Sequence, residues 1–118
     1  MGLKVFAGFL VFVGIYHFIN PPFFDPYMPE WFPKRLANAA AGAAEILLGI
    51  GLLLSQYRRL ALLGTLILMI MFVGIHFWDL LKPEPAIGNH LVATVRLIFQ
   101  FLLVFWLYRL FQKEGDPA

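Results

Sequence analysis

Six residues of this chain carry the groups that could do chemistry inside an otherwise apolar sequence: His17, Glu45, His76, Asp79, Arg96 and Gln100. Glu45 is the most constrained of them. It is the one carboxylate in the apolar run from Asn38 to Leu54, Asn-Ala-Ala-Ala-Gly-Ala-Ala-Glu-Ile-Leu-Leu-Gly-Ile-Gly-Leu-Leu-Leu. An ionised, unpaired acid in hydrocarbon costs roughly 3 kcal/mol on insertion scales, so Glu45 has to face other helices, be protonated, or meet a cation. Arg96 is the deepest available cation, with Gln100 four residues on and therefore on the same helix face. His76 and Asp79 are three apart on a stripe of Thr65, Met69, Phe72, His76 and Asp79. Imidazole, carboxylate and guanidinium together suit the recognition of a ligand's polar head. The bland alternative is an interhelical network that fixes packing and register, with each membrane hydrogen bond contributing about 0.6 kcal/mol.

The elements that must position these groups follow from composition. Of 118 residues, 61% are hydrophobic and 14% charged, and the mean hydropathy is +0.79. That leaves too little polar surface to cover a soluble globule, so the chain reads as an integral membrane protein. A membrane helix needs about 20 apolar residues, and four of them use most of the length, leaving no room for an extramembrane domain. The expected fold is all-α, a four-helix bundle with one domain over residues 1–118. Nine Lys and Arg are dispersed along the chain, so nucleic acid is not expected as a partner.

The spans are expected at about 3–19, 36–54, 60–81 and 90–111. Span one is short, but Lys4 can snorkel. It is not a cleaved signal peptide, because Tyr16-His17-Phe18-Ile19-Asn20 offers no small-residue cleavage site and three spans follow. The interfacial loop over residues 20–35 holds five prolines and many aromatics, which forbids a regular helix and suits the headgroup region. Span two is rich in Ala and Gly and can seat a neighbour closely. Gln56 to Arg59 reads as a tight turn, and Lys82 to Asn89 as a second loop broken by proline and glycine. The tail from Gln112 to Ala118 is expected to fray.

Four spans put both termini on one side. Lys4, Arg58, Arg59, Arg109 and Lys113 flank that side, whose basic excess assigns it to the cytoplasm. Phe12-Val13-Gly14-Ile15 recurs as Phe72-Val73-Gly74-Ile75, each followed by His-Phe and a proline-bearing loop, which implies two similar helical hairpins in a parallel repeat. At 1.5 Å per residue, Glu45 lies about 14 Å below the outer end of its span and Arg96 about 8 Å below the outer end of its own. A contact between Glu45 and Arg96 is therefore expected, relayed by Gln100, with His17, His76 and Asp79 above it in one outward-opening polar pocket.

Other chemistries are poorly served. With no cysteine, disulfides, thiolate zinc sites and iron-sulfur clusters are excluded. No Ser-His-Asp order, phosphate loop or Rossmann motif occurs. Histidines on spans one and three are the raw material for a b-type haem, but three histidines are thin support, and no Glu-x-x-His pair exists for a carboxylate-histidine metal site. No metal and no covalent cofactor are expected. A polar path across the membrane is missing, because the inner half of every span is apolar, which disfavours transport.

Three stretches together, Gly14-Ile15-Tyr16-His17-Phe18-Ile19-Asn20-Pro21 leading into Met28-Pro29, Gly42-Ala43-Ala44-Glu45-Ile46-Leu47-Leu48-Gly49, and Arg96-Leu97-Ile98-Phe99-Gln100, resemble the DoxX-like family of small four-helix membrane proteins. The likeness runs from about Gly14 to Trp106. In span three the chain has Gly74-Ile75-His76-Phe77-Trp78-Asp79 where such proteins often carry a Pro-Ala-Asn-like element. The resemblance implies a bacterial inner (plasma) membrane bundle with motif positions at His17, Glu45, Arg96 and Gln100. It does not imply a single activity, since relatives include the membrane subunit of a thiosulfate:quinone oxidoreductase and a maturation factor for methylamine dehydrogenase. Two function classes follow. One is a module that binds a quinone or lipid-like ligand as the membrane subunit or accessory of a redox system, not an enzyme on its own. The other is an assembly or maturation factor for client membrane proteins. Membrane lipid, a partner redox subunit, a client protein and a second copy of the chain are the corresponding partners.

Overall fold

A computed structural model describes residues 2–28 and 31–114. Four helices run through it, α1 (Gly2–Ile19), α2 (Lys34–Leu53), α3 (Arg58–Leu81) and α4 (His90–Glu114), all long and apolar enough to cross a membrane. The protein is an all-α, multi-pass membrane protein. Its surface carries the apolar side chains that a soluble protein would bury, among them Phe9, Phe12, Leu102 and Phe105, so acyl chains take the place of water around it.

The ends of the four helices fall within a few residues of the stretches expected to span. Leu54 to Tyr57 form the turn between α2 and α3, two residues earlier than the sequence suggests. Arg58 opens α3 and its Nε donates to the Leu52 carbonyl (2.9 Å), satisfying an end carbonyl of α2 that would otherwise lack a donor. Gln112 to Glu114 belong to α4 and are not frayed, while residues 115–118 lie outside the described residues. The prolines exclude a regular helix after Ile19, as expected, and the chain takes two single 3₁₀ turns, Pro21–Phe23 and Asp25–Tyr27, forming a strap across the end of the bundle away from the start of α1. Pro29 and Glu30 lie outside the described residues. In the loop between α3 and α4, at the same end as the strap, the chain turns at Gly88, whose φ of 137° suits glycine.

The helices pair as two hairpins, α1 with α2 and α3 with α4, joined along α2 and α3. Their shared apolar core occupies the half of the bundle nearer the start of α1 and the finish of α4. Ala7 and Leu10 of α1, Leu52 of α2, Ala61, Leu62, Leu66 and Met69 of α3 and Leu107 of α4 meet there. Phe6 and Trp106 close α1 against α4 edge to face, centroids 5.7 Å apart. The α1/α2 seam is tighter. A Cβ on Gly42 would stand 2.9 Å from the Gly14 carbonyl oxygen, and one on Gly49 would stand 2.9 Å from that of Ala7. The two backbones therefore touch, as glycine-lined membrane seams allow. Gly74, the repeat counterpart of Gly14, faces open space, so the sequence repeat does not extend to the packing.

Candidate functional site

The glycine seam fixes what Glu45 can reach. Gly14 lies opposite Gly42, so α2 begins above the end of α1: Ile19 is five residues beyond Gly14, whereas Lys34 is eight before Gly42, an overhang of about 4.5 Å. Side chains also lean toward the N-terminus of their own helix, so His17 tilts inward and Glu45 outward. The two meet, His17 Nε2 to Glu45 Oε1 at 3.0 Å, with the residues 6% and 2% exposed. Glu45 thus has its partner on α1. The expected contact with Arg96 is corrected, and Gln100 relays nothing between them.

The other face of the imidazole is equally committed. His17 Nδ1 lies 2.9 Å from Asn38 Oδ1, and Asn38 Nδ2 donates to Asp25 Oδ1 (3.0 Å) and to the Pro21 carbonyl (3.4 Å). Both of the latter are acceptors, so the amide must turn its oxygen to His17, and His17 Nδ1 must carry the proton it donates. Phe24 stacks on the ring at 3.6 Å between centroids. At the Nε2 contact, two arrangements avoid setting a lone pair against a carboxylate. One is imidazolium with carboxylate; the other is neutral imidazole accepting from a protonated Glu45. Each holds a single proton between the two groups, and in each the pair has no net charge, the condition for burying an acid in hydrocarbon. The contact lies off the ideal hydrogen-bond line, which leaves Glu45 Oε1 without a well-aligned donor. With both nitrogens of His17 engaged, none is free to ligate haem iron.

A second cluster closes within the other hairpin. Asp79, fully buried, receives Arg96 Nη2 (2.8 Å) and the Ile87 amide (3.5 Å) on one oxygen, and the Ala86 amide (2.7 Å) and Lys82 Nζ (3.5 Å) on the other. This is a saturated carboxylate that folds residues 82–89 back onto α3 and leaves no lone pair for a ligand. Gln100 donates to the Met69 carbonyl at 2.9 Å and lies 3.5 Å from Met69 Sδ, tying α4 to α3. His76 lies on the same inward stripe, its Nδ1 buried without a partner, as are Thr65 Oγ1 and Arg96 Nε. Among the described residues no group of three His, Asp or Glu is arranged to hold a metal ion.

Of the six sequence-derived residues, His17 therefore pairs with Glu45 and Arg96 with Asp79, while Gln100 bonds Met69 and His76 Nδ1 has no partner, so they do not frame one pocket. The strap joins the two pairs. Asp25 belongs to the His17 cluster, while Pro26 accepts from Lys82 Nζ (2.6 Å) and the Tyr27 ring lies 5.2 Å from Arg96 Cζ. Asn38, Asp25, Tyr27 and Lys82 are the members that the sequence reading passed over. Only Asn38 carried a signal, a polar side chain at the head of an apolar run. Two cavities open nearby. One, of about 380 Å³, is walled by Phe12, Val13, Tyr16, Phe23 and Phe24, the last of which also stacks on His17. The other, of about 720 Å³, lies between the strap and the loop that follows α3.

A family model described as Domain of unknown function (DUF8561) matches residues 6–111, and the chain belongs to that family. No curated protein and no solved structure matches it.

Proposed function

We propose that this member of the DUF8561 family is a membrane-embedded binding module for an amphipathic ligand with a carbonyl-bearing head, a quinone or a lipid-like molecule, serving as the membrane subunit or accessory of a redox system. The observation that carries the reading is the aromatic cavity beside the His17/Glu45 pair. Its single polar group at the wall is Tyr16, whose hydroxyl oxygen accepts from Asn20 Nδ2 (3.0 Å) and so keeps its own O–H to donate. A ring or tail between Phe12, Phe23 and Phe24 has apolar contact on several sides, and Tyr16 can address a carbonyl at its head. Electrons would come from a partner subunit. The likeness to DoxX-like proteins, among them a quinone-linked membrane subunit, supports the same reading and a bacterial inner membrane, and the basic excess at Lys4, Arg58, Arg59, Arg109 and Lys113 supports cytoplasmic termini.

The test is a titration of the purified protein in detergent with a short-chain quinone, followed by quenching of intrinsic fluorescence. Removing the donor with Tyr16→Phe is expected to weaken binding about fivefold, the value of one neutral hydrogen bond of about 1 kcal/mol. Filling the cavity mouth with Val13→Trp is expected to abolish it. Parent-like binding by both variants would end the proposal. A second reading, an assembly or maturation factor, is favoured by Trp31, which stands 76% exposed beside the strap. It gains if altering Trp31 releases a co-purifying membrane protein while quinone binding is unchanged.

A further inference from the structure

We infer that the 720 Å³ cleft on the outer surface is a binding site for the headgroup of a zwitterionic phospholipid, an ammonium-bearing phosphate ester. The inference concerns a different cavity from the aromatic one and goes beyond the ligand proposed for that one. The strap and the head of α2 supply one wall, with Asp25, Trp31 and Lys34. The end of α3 and the loop after it supply the other, with Trp78, Lys82 and Glu84. The hydrogen bond from Lys82 Nζ to the Pro26 carbonyl at 2.6 Å ties the walls together.

Charge selects the ligand class. The cleft presents two ammonium groups and two carboxylates, so a purely anionic head would meet Asp25 and Glu84 as well as the lysines. A zwitterion can set its phosphate against Lys34 and Lys82 and its ammonium against the carboxylates and the faces of Trp31 and Trp78. Among the described residues neither Lys34 nor Glu84 has an ion-pair partner. Lys82 uses one N–H on Pro26 and turns toward Asp79 at 3.5 Å, which leaves it a further donor for a phosphate oxygen. The volume lies within the range of about 300 to 1,000 Å³ common to small-molecule sites.

Position selects a membrane lipid over a soluble ester. The cleft sits where α3 leaves the apolar layer, with tryptophans at the level they favour in membrane proteins. Phe77 and Leu81, 50% and 65% exposed, flank Trp78 and offer acyl chains an apolar track down the outside of α3.

The experiment is native mass spectrometry of the full chain after reconstitution in equimolar phosphatidylethanolamine and phosphatidylglycerol, with far-UV circular dichroism to verify folding. The parent is expected to retain one phosphatidylethanolamine, about tenfold over phosphatidylglycerol, the ratio for one charge-assisted contact of about 1.4 kcal/mol. Lys34→Gln and Trp78→Leu, both at the cleft surface, are expected to cut retention by a similar factor, while Trp106→Phe at the inner end leaves it unchanged. Equal retention of the two lipids, or full retention by both cleft variants, overturns the inference. So does displacement of the lipid by soluble glycerophosphoethanolamine at equal concentration, which would place recognition in the head alone and not in a membrane lipid. Loss of quinone binding in the Tyr16 variant has no bearing on these outcomes, so the two proposals fail separately.

Discussion

Replacing Gly42 with alanine separates packing from chemistry in this fold. The new Cβ would stand 2.9 Å from the Gly14 carbonyl oxygen, 2.9 Å from His17 Cβ and 2.8 Å from Phe18 Cε2. The exposed Phe18 ring can swing away, but the Gly14 carbonyl and His17 Cβ belong to the α1 backbone and its first side-chain atom. Ordinary van der Waals contact begins near 3.4 Å, so α1 has to retreat by about 0.5 Å. His17 travels with it, and its 3.0 Å approach to Glu45 stretches toward 3.5 Å, the edge of hydrogen bonding. Overpacking of this kind costs about 1 to 3 kcal/mol, while weakening one interhelical polar contact adds about 0.6. Packing therefore dominates the loss. The assay is reversible unfolding in mixed micelles followed by circular dichroism, with the infrared carboxyl stretch of Glu45 reporting the stretched contact. Gly8→Ala and Gly74→Ala are the matched controls, since nothing lies within 4 Å of a Cβ at either position. Both are expected to equal or exceed the parent, by up to about 1 kcal/mol from helix propensity. If Gly42→Ala unfolds with the controls, the backbone contact between α1 and α2 is not as described.

Asp79→Ala strips Arg96 of its buried partner and is expected to destabilise by about 3 to 5 kcal/mol in the same unfolding assay. Adding Arg96→Met should restore most of that loss, because the cost lies in the orphaned charge. Asn38→Leu removes the link between His17 and the strap, at about 1 to 3 kcal/mol, and should speed limited proteolysis between Asn20 and Met28. Tyr27→Leu abolishes the stacking over Arg96, worth about 0.5 to 2 kcal/mol in a partly desolvated site, and should raise amide exchange in the strap while leaving α1 and α2 unchanged.

The fold was legible because apolar runs of membrane length separated by proline-rich stretches admit few arrangements, and α1 to α4 fall where those runs lie. The inward stripe from Thr65 to Asp79 and the Arg96, Gln100 face were legible for the same reason, as 3.6-residue periodicity needs no knowledge of neighbours. Partners across helices were not. Depth measured from each helix's own outer end assumes that the ends are level, yet the α1/α2 seam offsets them by about 4.5 Å, and the lean of each side chain adds to the shift. That brings His17 to Glu45 and leaves Arg96 to the nearer Asp79. The roles of Asp25 and Tyr27 depend on two 3₁₀ turns whose course no periodicity describes.

Each buried acid finds its partner within one hairpin, Glu45 on α1 and Asp79 on α4. A pair made between neighbouring antiparallel helices satisfies its charges as soon as the hairpin forms, so neither hairpin needs the other to bury its acid. What then couples the outer ends is the strap, which spends Asp25 on Asn38 and the Pro26 carbonyl and Tyr27 ring on Lys82 and Arg96. Phe24, on the same strap, covers His17 and lines the aromatic cavity, while Asp25 and Pro26 line the outer cleft. The strap thus contributes a wall to each of the two cavities, and the apolar core shared by all four helices holds the hairpins together beneath it.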